Sequence, residues 1–149
     1  MSATAQDISI TRVFAAAREE VWNAWTEPDR IAGWWGKRGW STPPESVTLD
    51  VRPGGVFRLD SIEEATGRSM PLEATYREVV APERLSWGDG ERFAVVTLRD
   101  LGDGRTEMKF RATMRASDEL RARAEGGLRS AFDRLAALLD QPDDKGASA

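Results

Sequence analysis

Tryptophan is concentrated in one short stretch of this chain. Five of the six tryptophans fall within nineteen residues, and the sixth stands alone much later: Trp22, Trp25, Trp34, Trp35 and Trp40, then Trp87. Each indole ring buries about 150–250 Å² when it packs. The stretch must therefore either build one end of a hydrophobic core or line a cavity.

The size and charge of the chain exclude several classes of protein. With 149 residues and 40% apolar residues, it predicts a single domain over 1–149, with a core at about 8–140 and flexible termini at 1–7 and 141–149. Its net charge of −4 argues against nucleic acid as a partner, because a phosphate-binding face carries a basic excess. No apolar run approaches the ~20 residues that span a membrane. We expect a cytoplasmic protein, since neither a signal peptide nor a disulfide framework is indicated.

The residue types that most often carry chemistry are missing. The chain contains no cysteine and no histidine, so a conventional catalytic triad cannot form and the commonest metal ligand is absent. No carboxylates have the spacing of a calcium loop, and no glycine-rich loop opens a helix as a phosphate site would. We therefore expect no metal and no cofactor.

Hydrophobic spacing predicts the order of helices and strands. Residues 8–14 read as a strand, and 18–26 as a helix with Val21, Trp22 and Trp25 on its inner face. A second short helix is expected to carry Ile31, Trp34 and Trp35. About six alternating strands follow between 46 and 114, including a hairpin through Gly102–Gly104, and a long helix then runs to about Asp140.

These elements predict an α+β fold. A curved antiparallel sheet of seven strands wrapped around the long C-terminal helix would satisfy every apolar face. One helix cannot fill such a sheet, so a cavity between them is expected, and the two short helices after the first strand would close one end of it.

Six ordered motifs resemble a known group. The set is similar to the START-like (SRPBCC, helix-grip) superfamily and, within it, to the homologues of the activator of the heat-shock-protein-90 ATPase. The resemblance covers about residues 8–140 and rests on Thr11–Phe14, Val21–Pro28, Trp34–Gly36, Asp50–Gly55, Tyr76–Leu85 and Leu128–Leu135.

The resemblance implies a helix-grip fold with an internal cavity that is often apolar, and no shared catalytic residues. The family name attaches a chaperone-activating, stress-response role. The chain departs from the family pattern at three positions: Ala17 and Lys37 stand where prolines are usual, and Gly127 stands where a tryptophan is frequent. The last change could enlarge the cavity or its mouth.

Two sets of residues are candidates for a site. The expected cavity lining comprises Trp22, Trp25, Trp34, Trp35, Phe57, Tyr76, Trp87, Phe110, Gly127 and Ala131. Trp34 and Trp35 cannot both point inward, because they are adjacent. The candidate polar groups are Arg58 and Asp60 on one strand face, Glu73 and Arg77 on one face of another strand, and Glu78, expected beside Tyr76 on the opposite face of that strand. A solvent-facing position is the simpler expectation for these charges.

The leading functional hypothesis is a non-catalytic binding protein that holds a small, mostly hydrophobic ligand. One alternative is a co-chaperone-like activator that binds a chaperone ATPase or another protein. The other is a cyclase- or hydrolase-type enzyme that uses a pocket carboxylate. Both a monomer and a homodimer remain open, and an exposed Trp35 or Trp40 would support a symmetric contact.

Overall fold

A computed structural model describes residues 4–88 and 92–139 of the chain. The elements in order are β1 (Thr4–Phe14), α1 (Arg18–Thr26), α2 (Pro28–Ala32), β2 (Trp40–Ser41), a 3₁₀ turn (Pro44–Ser46), β3 (Thr48–Leu49), β4 (Val56–Glu63), β5 (Ser69–Val80), β6 (Arg84–Gly88), β7 (Phe93–Gly102), β8 (Arg105–Ala116) and α3 (Asp118–Leu139).

The strands form one antiparallel sheet in the order β1-β8-β7-β6-β5-β4-β2, and β3 pairs with β4 beside this path. The sheet curls into a half-barrel around α3, which packs against β1, β8 and α1. This confirms the predicted helix-grip fold, with seven strands on the main path and two short helices after the first strand.

Alternating side chains explain why the sheet has one buried face. On β8, Met108 and Phe110 are buried, whereas Lys109 and Arg111 are exposed, so the apolar set points at α3. The hairpin between β7 and β8 turns at Gly102–Gly104, where Gly102 and Gly104 have φ values of 85° and 81° that favour glycine.

Three elements differ from the prediction. Residues 4–7, expected in a flexible terminus, continue β1 because they pair with 113–116 of β8. Helix α2 ends at Ala32, so Trp34 and Trp35 lie in the segment that follows it rather than on it. Trp40 and Ser41, which the sequence pattern assigned to no strand, form β2 against Glu63 and Ile62. The stretch 141–149, expected to be flexible, lies outside the described residues.

A ring-to-ring aromatic cluster fills the interior. Trp25 lies at its centre, 4.7 Å from Trp34 and 5.5 Å from Trp87 between ring centroids. The other members contact these rings or one another: Trp35, Phe57, Tyr76, Phe110 and Phe132. Such pairs are worth about 0.5–1.5 kcal/mol each beyond the area that they bury. The cluster therefore supports the end of the sheet nearest α1.

Candidate ligand-binding site

A pocket of about 350 Å³ lies beside the aromatic cluster, under the N-terminal half of α3. One wall is the segment Trp34–Trp40, which we call the tryptophan loop, and the opposite wall is α3. Three side chains from the sheet complete the pocket. The lining residues are Trp34, Trp35, Gly36, Lys37 and Trp40 from the loop, Leu120, Arg123, Ala124, Gly127, Leu128 and Ala131 from α3, and Ser61, Met70 and Met114 from β4, β5 and β8.

The tryptophan loop is anchored at its start by Trp34. This side chain is fully buried, and its Nε1 donates a hydrogen bond of 2.9 Å to the carbonyl oxygen of Ala24 in α1. Trp35 is only half-buried, as expected for two neighbours that cannot both point inward. The anchored indole therefore leaves the second ring of the pair free to face the pocket.

Helix α3 holds the rest of the loop. Arg134 Nη1 donates to the carbonyl oxygens of Gly36 at 2.8 Å and Trp40 at 3.1 Å, and the backbone N–H of Arg38 donates to Ser130 Oγ at 3.0 Å. Hydrogen bonds from a charged donor are about twice as strong as neutral ones. These hydrogen bonds thus hold the loop wall and the helix wall together.

Gly127 leaves space between α3 and the tryptophan loop. A Cβ atom at this position would lie 3.6 Å from Cδ and 3.7 Å from Cβ of Lys37, which is ordinary van der Waals contact. A larger side chain there would enter the space between α3 and the loop. Lys37 and Gly127, two of the three departures from the family pattern, therefore meet at this pocket.

The rim of the pocket is open to solvent. Met70 is 58% exposed and Leu120 is 50% exposed, although both are apolar and both line the pocket. Methionine is flexible and polarisable, so it adapts to apolar groups of different shape. This rim can therefore admit an apolar molecule from solution.

The charged lining residues are both cations. Lys37 and Arg123 line the pocket, and its other lining residues include no aspartate or glutamate. Lys37 Nζ lies 5.6 Å from the centroid of the Trp40 ring, within the range of a cation–π interaction. Trp40 itself is 7% exposed, so it is not the exposed contact surface that the sequence suggested.

The predicted cavity residues divide into two groups. Trp34, Trp35, Gly127 and Ala131 line the pocket. The other predicted rings lie elsewhere: Trp25, Phe57, Tyr76, Trp87 and Phe110 belong to the packed aromatic cluster, and Trp22 is half-buried on α1. These rings pack against one another and fill the interior next to α1, where the sequence had predicted a cavity.

The five predicted polar groups do not line this pocket. Arg58 pairs with Glu73 in register across β4 and β5, and both are exposed, on the face opposite to Phe57. Asp60 is half-buried on the same face as Arg58, and Arg77 is exposed. Glu73 also borders another depression, of about 310 Å³, beside Trp87 and Phe93.

A β-bulge explains the position of Glu78. Tyr76 pairs with Trp87 of β6 and Glu78 pairs with Ser86, so Arg77 is one extra residue on β5 between two consecutive pairs. Tyr76 is consequently buried, whereas Glu78 is exposed and accepts a hydrogen bond of 2.8 Å from Arg84 Nε. That bond and the charge of Arg84 lower the pKa of Glu78. The expectation that the two side chains share a face was wrong.

Tyr76 is poorly suited to acid–base chemistry. Its Oη is buried without a hydrogen-bond partner in the described part of the chain, and burial raises the pKa of the phenol above its ordinary value. A nearby carboxylate, Asp50, adds to that rise. Tyr76 therefore stays neutral over the physiological range.

Within residues 4–88 and 92–139, no three metal-ligating side chains lie together. Across the same residues, each helix falls short of the length or the hydropathy that crossing a bilayer requires. The sequence did not predict most of the α3 wall or the sheet residues of the pocket. The apolar spacing of Leu120, Ala124 and Leu128 was a signal for them, since it marks the helix face turned to the sheet.

Comparison with known proteins identifies a sequence family. The family model described as Activator of Hsp90 ATPase homolog 1-like protein matches residues 15–140. No curated protein sequence matches the chain significantly.

Solved structures share the fold. A protein from Nitrosomonas europaea is 23% identical with a TM-score of 0.79, over 91% of this chain and 95% of that one. A protein from Chromobacterium violaceum is 24% identical with a TM-score of 0.77, over 91% and 98%. An AHSA1-like protein from Aeromonas hydrophila is 25% identical with a TM-score of 0.74, over 89% and 93%.

Proposed function

Since this chain belongs to the Activator of Hsp90 ATPase homolog 1-like family, we propose that it is a non-catalytic binding protein whose pocket between α3 and the tryptophan loop holds a small, mostly hydrophobic ligand. The observation that carries the proposal is the composition of that pocket. Three tryptophans, two methionines and two leucines line it, with a supported wall on either side.

The volume of the pocket limits the size of the ligand. A cavity of about 150 Å³ accepts benzene, with its six non-hydrogen atoms. By proportion, a pocket of about 350 Å³ accepts ~14 non-hydrogen atoms. A medium-length hydrocarbon chain or a two-ring aromatic compound is of this size.

The sequence offers a matched pair of variants for the test. Gly127→Trp places an indole in the pocket, where the Cβ already touches Lys37. Gly126→Trp adds the same ring one residue earlier on α3, at an exposed position where a Cβ atom meets nothing within 4 Å. Thermal unfolding of both variants establishes that each is folded.

Isothermal titration with naphthalene and 1-decanol then measures binding. We expect the wild type and Gly126→Trp to bind at least one of the two compounds, and Gly127→Trp to lose that binding. Native mass spectrometry of the freshly purified protein, with denaturing extraction, would identify a retained natural ligand. Equal binding by wild type and Gly127→Trp, or no binding by the wild type, would contradict the proposal.

A second candidate function is activation of a chaperone ATPase, which the description of the family favours. It predicts that the chain raises the ATPase rate of the heat-shock-protein-90 chaperone from the same organism in a concentration-dependent way. An unchanged rate at saturating concentration would count against it. This pocket gives no support to the cyclase or hydrolase alternative, because Arg58, Asp60, Glu73, Arg77 and Glu78 are not among its lining residues.

A further inference from the structure

The charged groups on the pocket are of one sign, although the chain as a whole carries −4. Lys37 comes from the tryptophan loop and Arg123 from α3, so two separate segments each place a cation on this surface. Two cations beside apolar walls raise the local concentration of anions, so they distinguish a charged ligand from an uncharged one.

Both cations are placed by reference to Gly127, Arg123 on the α3 wall and Lys37 on the wall formed by the tryptophan loop. Arg123 and Gly127 are four residues apart on α3 and therefore share a helix face. The stem of Lys37 is the nearest side chain to Gly127 across the gap, at 3.6 Å from the position of a Cβ atom. Lys37 and Arg123 thus flank one part of the mouth, one from each wall.

Neither cation is neutralised by the described part of the chain. On α3, Arg121 and Arg129 both form ion pairs with Glu125, at 2.8 and 2.9 Å. By contrast, among residues 4–88 and 92–139 no carboxylate oxygen lies within ion-pair distance of Arg123 or Lys37. Lys37 lies over the Trp40 ring, and the side chains of Lys37 and Arg123 are both exposed.

We propose that the pocket selects an apolar acid: a hydrocarbon or aromatic body of ~10–14 non-hydrogen atoms that ends in a carboxylate bound by Lys37 and Arg123. This inference rests on the proposed binding function and names the ligand class of the same site. The body fills the space between Trp35, Leu128 and Met114, and the carboxylate stays at the solvent-exposed mouth. There it accepts charge-assisted hydrogen bonds without the cost of complete desolvation.

The test compares decanoate with 1-decanol, which share a chain length and differ in the head group. Isothermal titration at neutral pH and low salt measures both compounds on the wild type, on Lys37→Gln with Arg123→Gln, and on a control, Lys109→Gln. Lys109 is exposed on the solvent face of β8, so its substitution removes a positive charge away from the pocket.

We expect the wild type and Lys109→Gln to bind decanoate about tenfold more tightly than 1-decanol. The double variant should bind both compounds equally, with its affinity for 1-decanol unchanged. Addition of salt should weaken the binding of decanoate alone, because exposed charges are screened.

Three results would overturn the inference. Equal affinity of the wild type for decanoate and 1-decanol would show that the cations do not select the head group, while the proposed binding function would stand. A preference for decanoate that persists in the double variant would place the carboxylate elsewhere. Failure of the wild type to bind either compound would refute the proposed function together with this inference.

Discussion

The paired glycines in the middle of α3 provide the sharpest test of the pocket. Gly126 and Gly127 lie eight or more residues from either end of the helix Asp118–Leu139, and neither has a positive φ. Glycine in a helix interior costs about 0.5–1 kcal/mol relative to alanine, because the unfolded chain loses more conformational freedom. Alanine adopts the same backbone conformation at both positions, so each substitution should stabilise the protein.

The surroundings of each glycine show that a methyl group fits. At Gly126 a Cβ atom would meet nothing within 4 Å, and at Gly127 it would meet only Lys37, at 3.6 and 3.7 Å. The double variant Gly126→Ala, Gly127→Ala should therefore gain about 1–2 kcal/mol in the free energy of unfolding. For a chain of this length the Tm should rise by roughly 2–8 °C.

The affinity for 1-decanol should distinguish Gly126 from Gly127. Gly127 lines the pocket and Gly126 does not, so Gly127→Ala should weaken the binding of 1-decanol while Gly126→Ala leaves it unchanged. Circular dichroism during heating measures Tm, urea unfolding measures the free energy, and calorimetric titration measures affinity. A fall in Tm for Gly127→Ala would refute the reasoning about Lys37, and equal loss of affinity in both variants would refute the position of the pocket.

Three further substitutions test the described contacts. Tyr76→Phe should keep or raise stability at neutral pH, since the buried Oη has no partner. The pKa of the Tyr76 phenol is raised in the folded state, so the unfolded state loses this proton first, above a pH of about 10. The free energy of unfolding of the wild type should therefore fall above that pH, and Tyr76→Phe should flatten this fall in urea unfolding. A parallel fall in both proteins would contradict the prediction. Thr106→Val should cost about 1–3 kcal/mol, measured in urea, because the fully buried Thr106 Oγ1 donates at 2.7 Å to the carbonyl oxygen of Ala16; unchanged stability would show that this bond contributes nothing. Arg134 donates hydrogen bonds to two carbonyl oxygens of the tryptophan loop, so Arg134→Met should increase amide hydrogen exchange in that loop. Exchange in β7 and β8 should stay as in the wild type. Unchanged exchange in the loop would contradict the anchoring role of Arg134.

Most of the fold was predictable from local patterns. The alternation in β8 and the apolar stripe of α3 are each set by neighbouring residues, so their faces could be assigned before any tertiary contact was known. The family motifs then specified how the strands and helices join. The bulge between Tyr76 and Glu78 broke this reasoning, because an inserted residue reverses every later side chain on β5 and leaves no local signal in the sequence.

The candidate site was less predictable. The dense tryptophans predicted a cavity around the rings themselves, yet Trp25 and Phe57 pack within the aromatic cluster, and the pocket lies to one side of it. Whether rings fill a space or line it depends on their mutual distances. Those distances are decided by the curvature of the sheet.

By itself, the sequence determined the order of the long strands and helices, the family and the lack of histidine and cysteine, since these follow from residue type and short-range spacing. Only the tertiary structure decided that Lys37 and Arg123 line one pocket, although 86 positions separate them in the chain. It also decided that Met70 and Leu120 share a rim. Such contacts depend on how the curled sheet closes on α3, a property of the whole packed chain that no local segment encodes.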